Sequence, residues 1–247
     1  MKVILEHKDE FKQLLVGYTA SDTARELVAS IPLVILQGIS GSGRNAIIKR
    51  LVETGEYHTV VSDTTRPPKI RDGVLEQDGI NYHFRTEEQV LKDLHEGMFL
   101  EAELIHDQQV SGISIRELQI AHDSHKIPIN EVAREGVENI RRIKPSTLFF
   151  FVVPPNYDIW IQRLTLRETM SEEEFSHRAA SAILEIQEAL HNDYFNFVIN
   201  DDITRVASVI NERVAGENID NEQERGKIVA REILNELRAR ANTEMSS

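Results

Sequence analysis

Short apolar runs alternate with segments of helical spacing along most of the chain, and that alternation predicts the fold class. Leu33–Gln37 (LVILQ), Leu148–Val153 (LFFFVV) and Phe197–Asn200 (FVIN) have almost no polar interruption, as expected of strands buried on both faces of a parallel sheet. Thr59–Ser62, Lys126–Asn130 and the MFLEAELI stretch from Met98 to Ile105 are further strand candidates. Ala46–Val52 (AIIKRLV) reads as a helix. Thr86 with Gln89, and Ser114 with Glu117, have capping-box spacing and predict helices to about Glu96 and about Asp123. Ser171 with Glu174 predicts a long amphipathic helix through about Leu190. Strands alternate with helices, so the chain is predicted to be α/β with a mostly parallel sheet.

The two ends read differently. Before the first strand the pattern predicts two short helices. Phe11, Leu14 and Leu15 share one apolar face, Ser21 or Asp22 caps TARELVAS, and Pro32 closes the segment. Beyond about Val214, GENIDNEQERGK reads as a polar hinge. A final helix then places Ile228, Ile233, Leu234 and Leu237 on one face. That helix either docks on the domain or meets a partner, and both end segments offer surfaces for self-association. In between, DTTRPPKIRDGVLEQDGINYHF carries Pro67-Pro68 and two Asp-Gly pairs, which rule out a long regular element. The chain shows no internal repeat.

Composition narrows the function. Hydrophobic content of 40% and charged content of 28% suit a globular protein of 247 residues. No apolar run reaches the length of a membrane span, and the N-terminus turns charged too early for a secretory signal, so the expectation is a cytoplasmic protein without a membrane partner. With no cysteine there is neither a disulfide nor a thiolate metal site. A net charge of −13 argues against nucleic acid as a ligand. A phosphate compound would have to be met by local Arg, Lys and backbone N–H groups.

GISGSGRNA, Gly38–Ala46, is where such a compound would sit, between a predicted strand and a predicted helix. One reading takes Gly38, Gly43 and Arg44 as a phosphate loop of the form GxxxxGK[ST], with Arg for Lys and Asn45 for the hydroxyl residue. The other takes Gly41, Gly43 and Ala46 as G-x-G-x-x-A, a dinucleotide fingerprint with Asp63 as the ribose acceptor. Gly41 comes three positions after Gly38, a length that suits a cradle around a β-phosphate better than a tight dinucleotide turn. Taken alone, the octapeptide is equally compatible with a turn that binds nothing. His122 and His125 form H-x-x-H in a polar turn without a third ligand and read as surface residues. Phe149–Phe151 read as buried strand rather than as a binding platform.

GISGSGRN, VSDTTRPP, DGINYHF, FLEAELI, RLTLRETMSEEEFSHR and VINDD follow one another in the order and spacing of guanylate kinases. The resemblance covers roughly Leu33 to Val214, and TTRPP followed by DGxxYHF is its most specific part. It implies a P-loop kinase fold with a parallel core sheet over 33–214, an acceptor-binding subdomain at about 63–112 and a lid at about 167–173. Helical extensions lie on either side, at 1–32 and 215–247. The implied activity is ATP- and Mg²⁺-dependent phosphoryl transfer to a nucleoside monophosphate, most simply GMP or dGMP.

Residue by residue, the resemblance implies that Gly38, Ser40, Gly41, Ser42, Gly43 and Asn45 hold the ATP phosphates, with Asn200 and Asp201 near the adenine. Arg44, Arg167 and Arg178 are implied to sit on the transferring group, and Asn45 on the metal. Ser62, Arg66, Lys69 and Tyr82 match the holders of the acceptor phosphate, and Glu101 matches the carboxylate that reads guanine. The chain departs from the family at Arg44 and Asn45, at Lys69 (an Arg in the family), at Ser111-Gly112 (Tyr-Gly) and at Pro128-Ile129-Asn130 (Asp-x-Asp). Glu131 adjoins the last of these but should face the opposite side of the strand. The departures keep open a second reading, a guanylate-kinase-like domain without phosphotransfer that binds nucleotide or protein.

Overall fold

The computed structural model describes residues 4–71, 73–132, 134–166 and 170–244. In chain order the elements are α1 (Lys8–Leu15), α2 (Asp22–Ser30), β1 (Val34–Gln37), α3 (Arg44–Val52), β2 (Tyr57–Thr59), β3 (Asp63–Thr64), β4 (Ile70–Arg71), β5 (Val74–Leu75) and β6 (His83–Phe84). Then follow α4 (Glu87–His95), β7 (Phe99–Ile105), β8 (Gln109–Ser114), α5 (Ile115–Asp123), β9 (Ile127–Glu131), α6 (Arg134–Ile143) and β10 (Leu148–Val153). The chain ends with α7 (Tyr157–Thr165), α8 (Glu172–His191), β11 (Phe195–Ile199), α9 (Ile203–Val214) and α10 (Asp220–Glu244). It forms two compact units. One comprises Met1–Leu33, Gly55–Asn130 and Glu135–Thr147, the other Val34–Thr54, Glu131–Arg134 and Leu148–Ser247.

The second unit is built on parallel strands. β10 runs between β1 and β11, with Ile35 opposite Phe149 and Phe151 opposite Phe197. LFFFVV is apolar throughout because both of its faces are buried, and Phe149, Phe150 and Phe151 are fully enclosed. The predicted hinge is helical from Asp220 onward, so the final helix is longer than its apolar spacing suggests. It docks on the domain. The Gln223 side chain accepts from Phe197 N at 2.5 Å and donates to Phe195 O at 2.8 Å, standing in for a further strand beside β11. Ile233, Leu234 and Leu237 are buried as expected, but Ile228 is half exposed, since the docked face runs through Gly226 and Ala230.

The first unit holds the parallel pair β2–β9, a four-stranded sheet in the order β6-β3-β8-β7 and the small hairpin β4–β5. β7 and β8 pair antiparallel, with Glu101 opposite Ile113. β2 ends earlier than predicted. Val60 N still donates to Ile129 O, but Val61 N is taken by the Glu117 carboxylate, which stops the ladder. That bond also removes the capping box predicted at Ser114. Glu117 turns away from the helix start to bind His58, His83 and Val61 N, and Ser114 makes no side-chain cap. Thr86 with Gln89 and Ser171 with Glu174 cap α4 and α8 as their spacing predicts. Phe11 is fully buried among Leu91, Leu94, Phe99 and Val110, with Leu14, Leu15 and Tyr18 packed alongside. The apolar faces of both end segments are thus covered largely by the chain itself.

Candidate active site

The glycine loop bridges the end of β1 and the start of α3, and its conformation explains its glycines. Gly38, Gly41 and Gly43 have φ of 151°, 83° and 94°, where a side chain is strained. A Cβ on Gly38 would strike the Val152 carbonyl oxygen, and one on Gly43 would strike Asn200 Nδ2. Donors outside the loop hold its carbonyl groups. Trp160 Nε1 donates to Ser40 O at 2.7 Å, and Asn200 Nδ2 donates to Ser42 O at 2.7 Å. Arg163 spans Ser42 O and Asn200 O. The N-terminus of α3 has no side-chain cap, because Gly43 has no side chain to offer. Beside it the Ser42 hydroxyl is fully buried without a hydrogen-bond partner among the described residues. An uncapped helix N-terminus next to an unpaired buried hydroxyl is a seat for an anion.

Glu131 closes one side of this seat. Its carboxylate lies 3.2 Å from Arg44 Nε. The Asn45 amide, with its nitrogen turned toward Glu131, donates to both carboxylate oxygens at 3.0 Å. Strand alternation accounts for the placement. Asn130 Nδ2 donates to Ser62 Oγ at 3.2 Å, while the next residue, Glu131, turns to the other face and meets α3. On the far side of the loop, Arg178 reaches Ser40 Oγ at 3.4 Å and Glu174 at 2.5 Å. Ser40, Ser171, His177, Arg178 and Ser181, together with the acidic Glu173, Glu174 and Glu185, line a cavity of about 490 Å³ there. Arg167 lies outside the described residues. Asp201 is ion-paired to Arg205 at 2.8 Å, and Asn200 is spent on bracing the loop.

The residues present fit a magnesium ion at the head of α3. Such an ion takes one or two protein oxygens and completes its shell with phosphate oxygens and water. The Glu131 carboxylate would supply one, and half a turn of the Asn45 amide would present another. Among the described residues no group of three or more acidic or histidine side chains forms a closed metal cage.

The expected acceptor residues all belong to the first unit. The Arg66 guanidinium is buried, with Nη1 and Nη2 on the two Glu76 oxygens at 2.5 and 3.0 Å and Nη1 also on Pro67 O. Its Cζ lies 4.7 Å from the centre of the Tyr82 ring. Both terminal nitrogens of the fork expected to meet a phosphate are therefore held by Glu76, a neighbour that sequence reasoning passed over. Lys69 is exposed, and its backbone N–H is anchored on Glu76 at 2.9 Å. Glu101 is buried on β7, and burial, with Glu103 adding to it, pushes its carboxyl up to about 8.

Ser111, standing where the family has a phenol, bonds Thr64 at 2.7 Å. Asp63, the candidate ribose acceptor of the dinucleotide reading, is buried and holds Arg85 at 3.2 Å and Arg116 at 2.8 Å. Those bonds remove it from any such role. Beneath it, Glu117 binds both His58 and His83. Burial would raise its carboxyl, but the bonds from His58, Val61 N and His83 outweigh that and hold it at about 2.

A parallel strand feeding a glycine loop onto an open helix N-terminus is the architecture of a phosphate-binding P-loop protein. The family model described as guanylate kinase matches residues 30–215. The chain belongs to the guanylate kinase family. It is 30% identical over 171 residues to Guanylate kinase 1 of Arabidopsis thaliana, covering 68% of this chain but only 43% of that one. To the guanylate kinase of Sus scrofa it is 31% identical over 190 residues, covering 74% of this chain and 92% of that one. The crystal structure of guanylate kinase from Anaplasma phagocytophilum superimposes with a TM-score of 0.55 at 20% identity, over 77% of this chain and 88% of that one, and shows the shared fold.

Proposed function

We propose that the chain transfers the terminal phosphoryl group of ATP to GMP or dGMP. The loop carries this reading: three glycines in left-handed backbone, an uncapped α3 N-terminus and a buried unpaired Ser42 hydroxyl, in a chain of this family. The ATP phosphates lie along Gly38–Asn45, against backbone N–H groups and the positive end of α3. Arg44 and Arg178, with Arg167 from a lid at about 167–173, neutralise charge on the transferring group. Asn200 acts through the loop it braces. Glu131 and Asn45 would hold a magnesium ion, which would supply screening of the phosphate charge.

The acceptor lies within about 63–112 of the first unit. Ser62, Lys69 and Tyr82 hold its phosphate, and Arg66, fixed by Glu76, sets the Tyr82 ring. Glu101 reads the guanine N1–H and exocyclic amine, whose two donors compensate the carboxylate for its burial. An oxygen of the acceptor phosphate bonds to the γ-phosphorus. The bond from that phosphorus to the β–γ bridging oxygen breaks, and ADP leaves with the electron pair. The acceptor phosphate is largely ionised at neutral pH, so the step needs no protein base.

No helix among the described residues is long and apolar enough to cross a membrane. The proposed location is the cytoplasm, where both nucleotides are available. A coupled assay of ADP formation over a panel of nucleoside monophosphates, for wild type and Arg44→Lys, tests the reading. Turnover with GMP or dGMP above the other acceptors is expected. No turnover with any acceptor in either protein would leave the nucleotide- or protein-binding module in its place.

A further inference from the structure

Glu131 does something the reaction does not require of it. One carboxylate gathers N–H contacts from the first two residues of α3: Arg44 Nε at 3.2 Å and, with its nitrogen turned toward Glu131, the Asn45 amide at 3.0 Å to each oxygen. A carboxylate at a helix N-terminus, accepting from a guanidinium and an amide, offers the same charge and planar oxygens that a nucleotide phosphate would bring. The buried Ser42 hydroxyl beside the same helix start is left unpaired, so a place for a further anionic oxygen remains in the loop.

We infer that Glu131 is a positioning residue that serves as a built-in placeholder for the nucleotide phosphate, and that it forms a matched set with Arg44 and Asn45. The inference rests on the proposed donor site. Before nucleotide binds, Glu131 fixes the Arg44 side chain beside the loop, where a free arginine would sample many rotamers. When phosphate arrives, Arg44 and Asn45 exchange one anion for another. The contact is suited to exchange, because the Arg44 and Glu131 side chains are 23% and 37% exposed and water can solvate whichever anion is released.

The exchange has a second consequence. The released carboxylate stays close to the phosphates as a like charge, and a divalent cation between them turns repulsion into attraction. In this chain, therefore, the gain in nucleotide affinity from magnesium is transmitted through Glu131. An arginine and an amide at the loop's head are tolerated because this carboxylate orders them while the loop is empty and faces the cation once it is filled.

Calorimetric titration of ADP and ATP into the full chain, in EDTA and in magnesium, tests this on wild type and Glu131→Gln. Glu131→Gln is expected to bind magnesium-free ADP about fivefold or more tighter than wild type, since the competitor is gone. Its gain in affinity from magnesium should shrink to less than about twofold. Equal or weaker magnesium-free binding, or an undiminished magnesium gain, would overturn the inference while leaving the donor site intact. If neither protein binds either nucleotide under any condition, the donor-site reading itself fails. Thermal melting confirms that the variant folds, and Glu131→Ala, which also removes the carboxylate, is expected to shift both affinities in the same direction.

Discussion

Two arginine–carboxylate pairs stand where nucleotide phosphates are proposed to bind, and they differ in one physical respect. Arg44 and Glu131 in the second unit are partly open to water, with side-chain exposures of 23% and 37%. Arg66 and Glu76 in the first unit are sealed, at 4% and 5%, and joined through both nitrogens of the fork. An open pair contributes little and exchanges readily. A sealed pair contributes modestly as a whole but is costly to break, since the survivor is a bare charge away from water. The same residue chemistry thus gives a mobile part in one place and a fixed part in the other. Arg44 is available to a ligand, whereas Arg66 supports the Tyr82 ring lying 4.7 Å from it.

The largest expected effect is on the sealed pair. Glu76→Ala should destabilise the chain by about 3–5 kcal/mol, read by denaturant unfolding. A loss under about 1 kcal/mol would erase the distinction between the pairs. Next comes Glu117→Gln, which tests whether other sealed carboxylates behave alike. The Glu117 carboxyl, held at about 2 against an ordinary 4.5, should contribute roughly 3 kcal/mol at neutral pH. Because its pKa is depressed on folding, that contribution is full above pH 4.5 and is lost as pH falls through about 2. The stability gap between wild type and variant should narrow over that window.

Glu101 is the opposite case, a sealed carboxylate with no cation beside it among the described residues. Its carboxyl is raised from 4.5 to about 8, so the empty fold is favoured by the protonated form. That contribution to stability is full below pH 4.5 and is lost as pH rises through about 8. Guanine donors require the ionised form. GMP affinity should therefore rise by up to tenfold per pH unit below about 8 and then level off, with a proton released on binding at neutral pH. Calorimetry in buffers of different ionisation enthalpy measures that proton. GMP affinity that does not change with pH, or is unchanged in Glu101→Gln, would remove Glu101 from the base site. The smallest effect is at Glu174, whose pair with Arg178 is exposed at 43% and 28%. Glu174→Gln should change stability by less than about 1 kcal/mol.

Those contrasts also mark what the sequence could reveal. β1, β10 and the loop were legible because unbroken apolar runs and left-handed glycines follow from local chemistry. The acceptor motif was legible as an ordered set of residue types. Partners were not. Nothing local indicates that Glu76 closes on Arg66 ten residues earlier, across the β4–β5 hairpin, or that Glu117 prefers Val61 N to its own helix start. Strand alternation placed Glu131 opposite Asn130, as observed, but the identity of what waits on each face is a tertiary fact. Other elements carried signals that went unread. Asn156 accepts from Ile159 N and caps α7, whose Trp160 and Arg163 brace the loop. β8 was missed because QVSGIS has little apolar alternation, and α6 because charged residues dominate a short segment, whereas α9 carries its signal in the Asp202 cap and the spacing of Val206, Val209 and Ile210.

Phosphorus NMR of ATP and GMP incubated with a catalytic amount of the full chain and magnesium follows the transfer itself. GDP and ADP are expected in equal amounts, with no accumulation of inorganic phosphate. ADP with inorganic phosphate and no GDP, or unchanged substrates, would contradict that transfer.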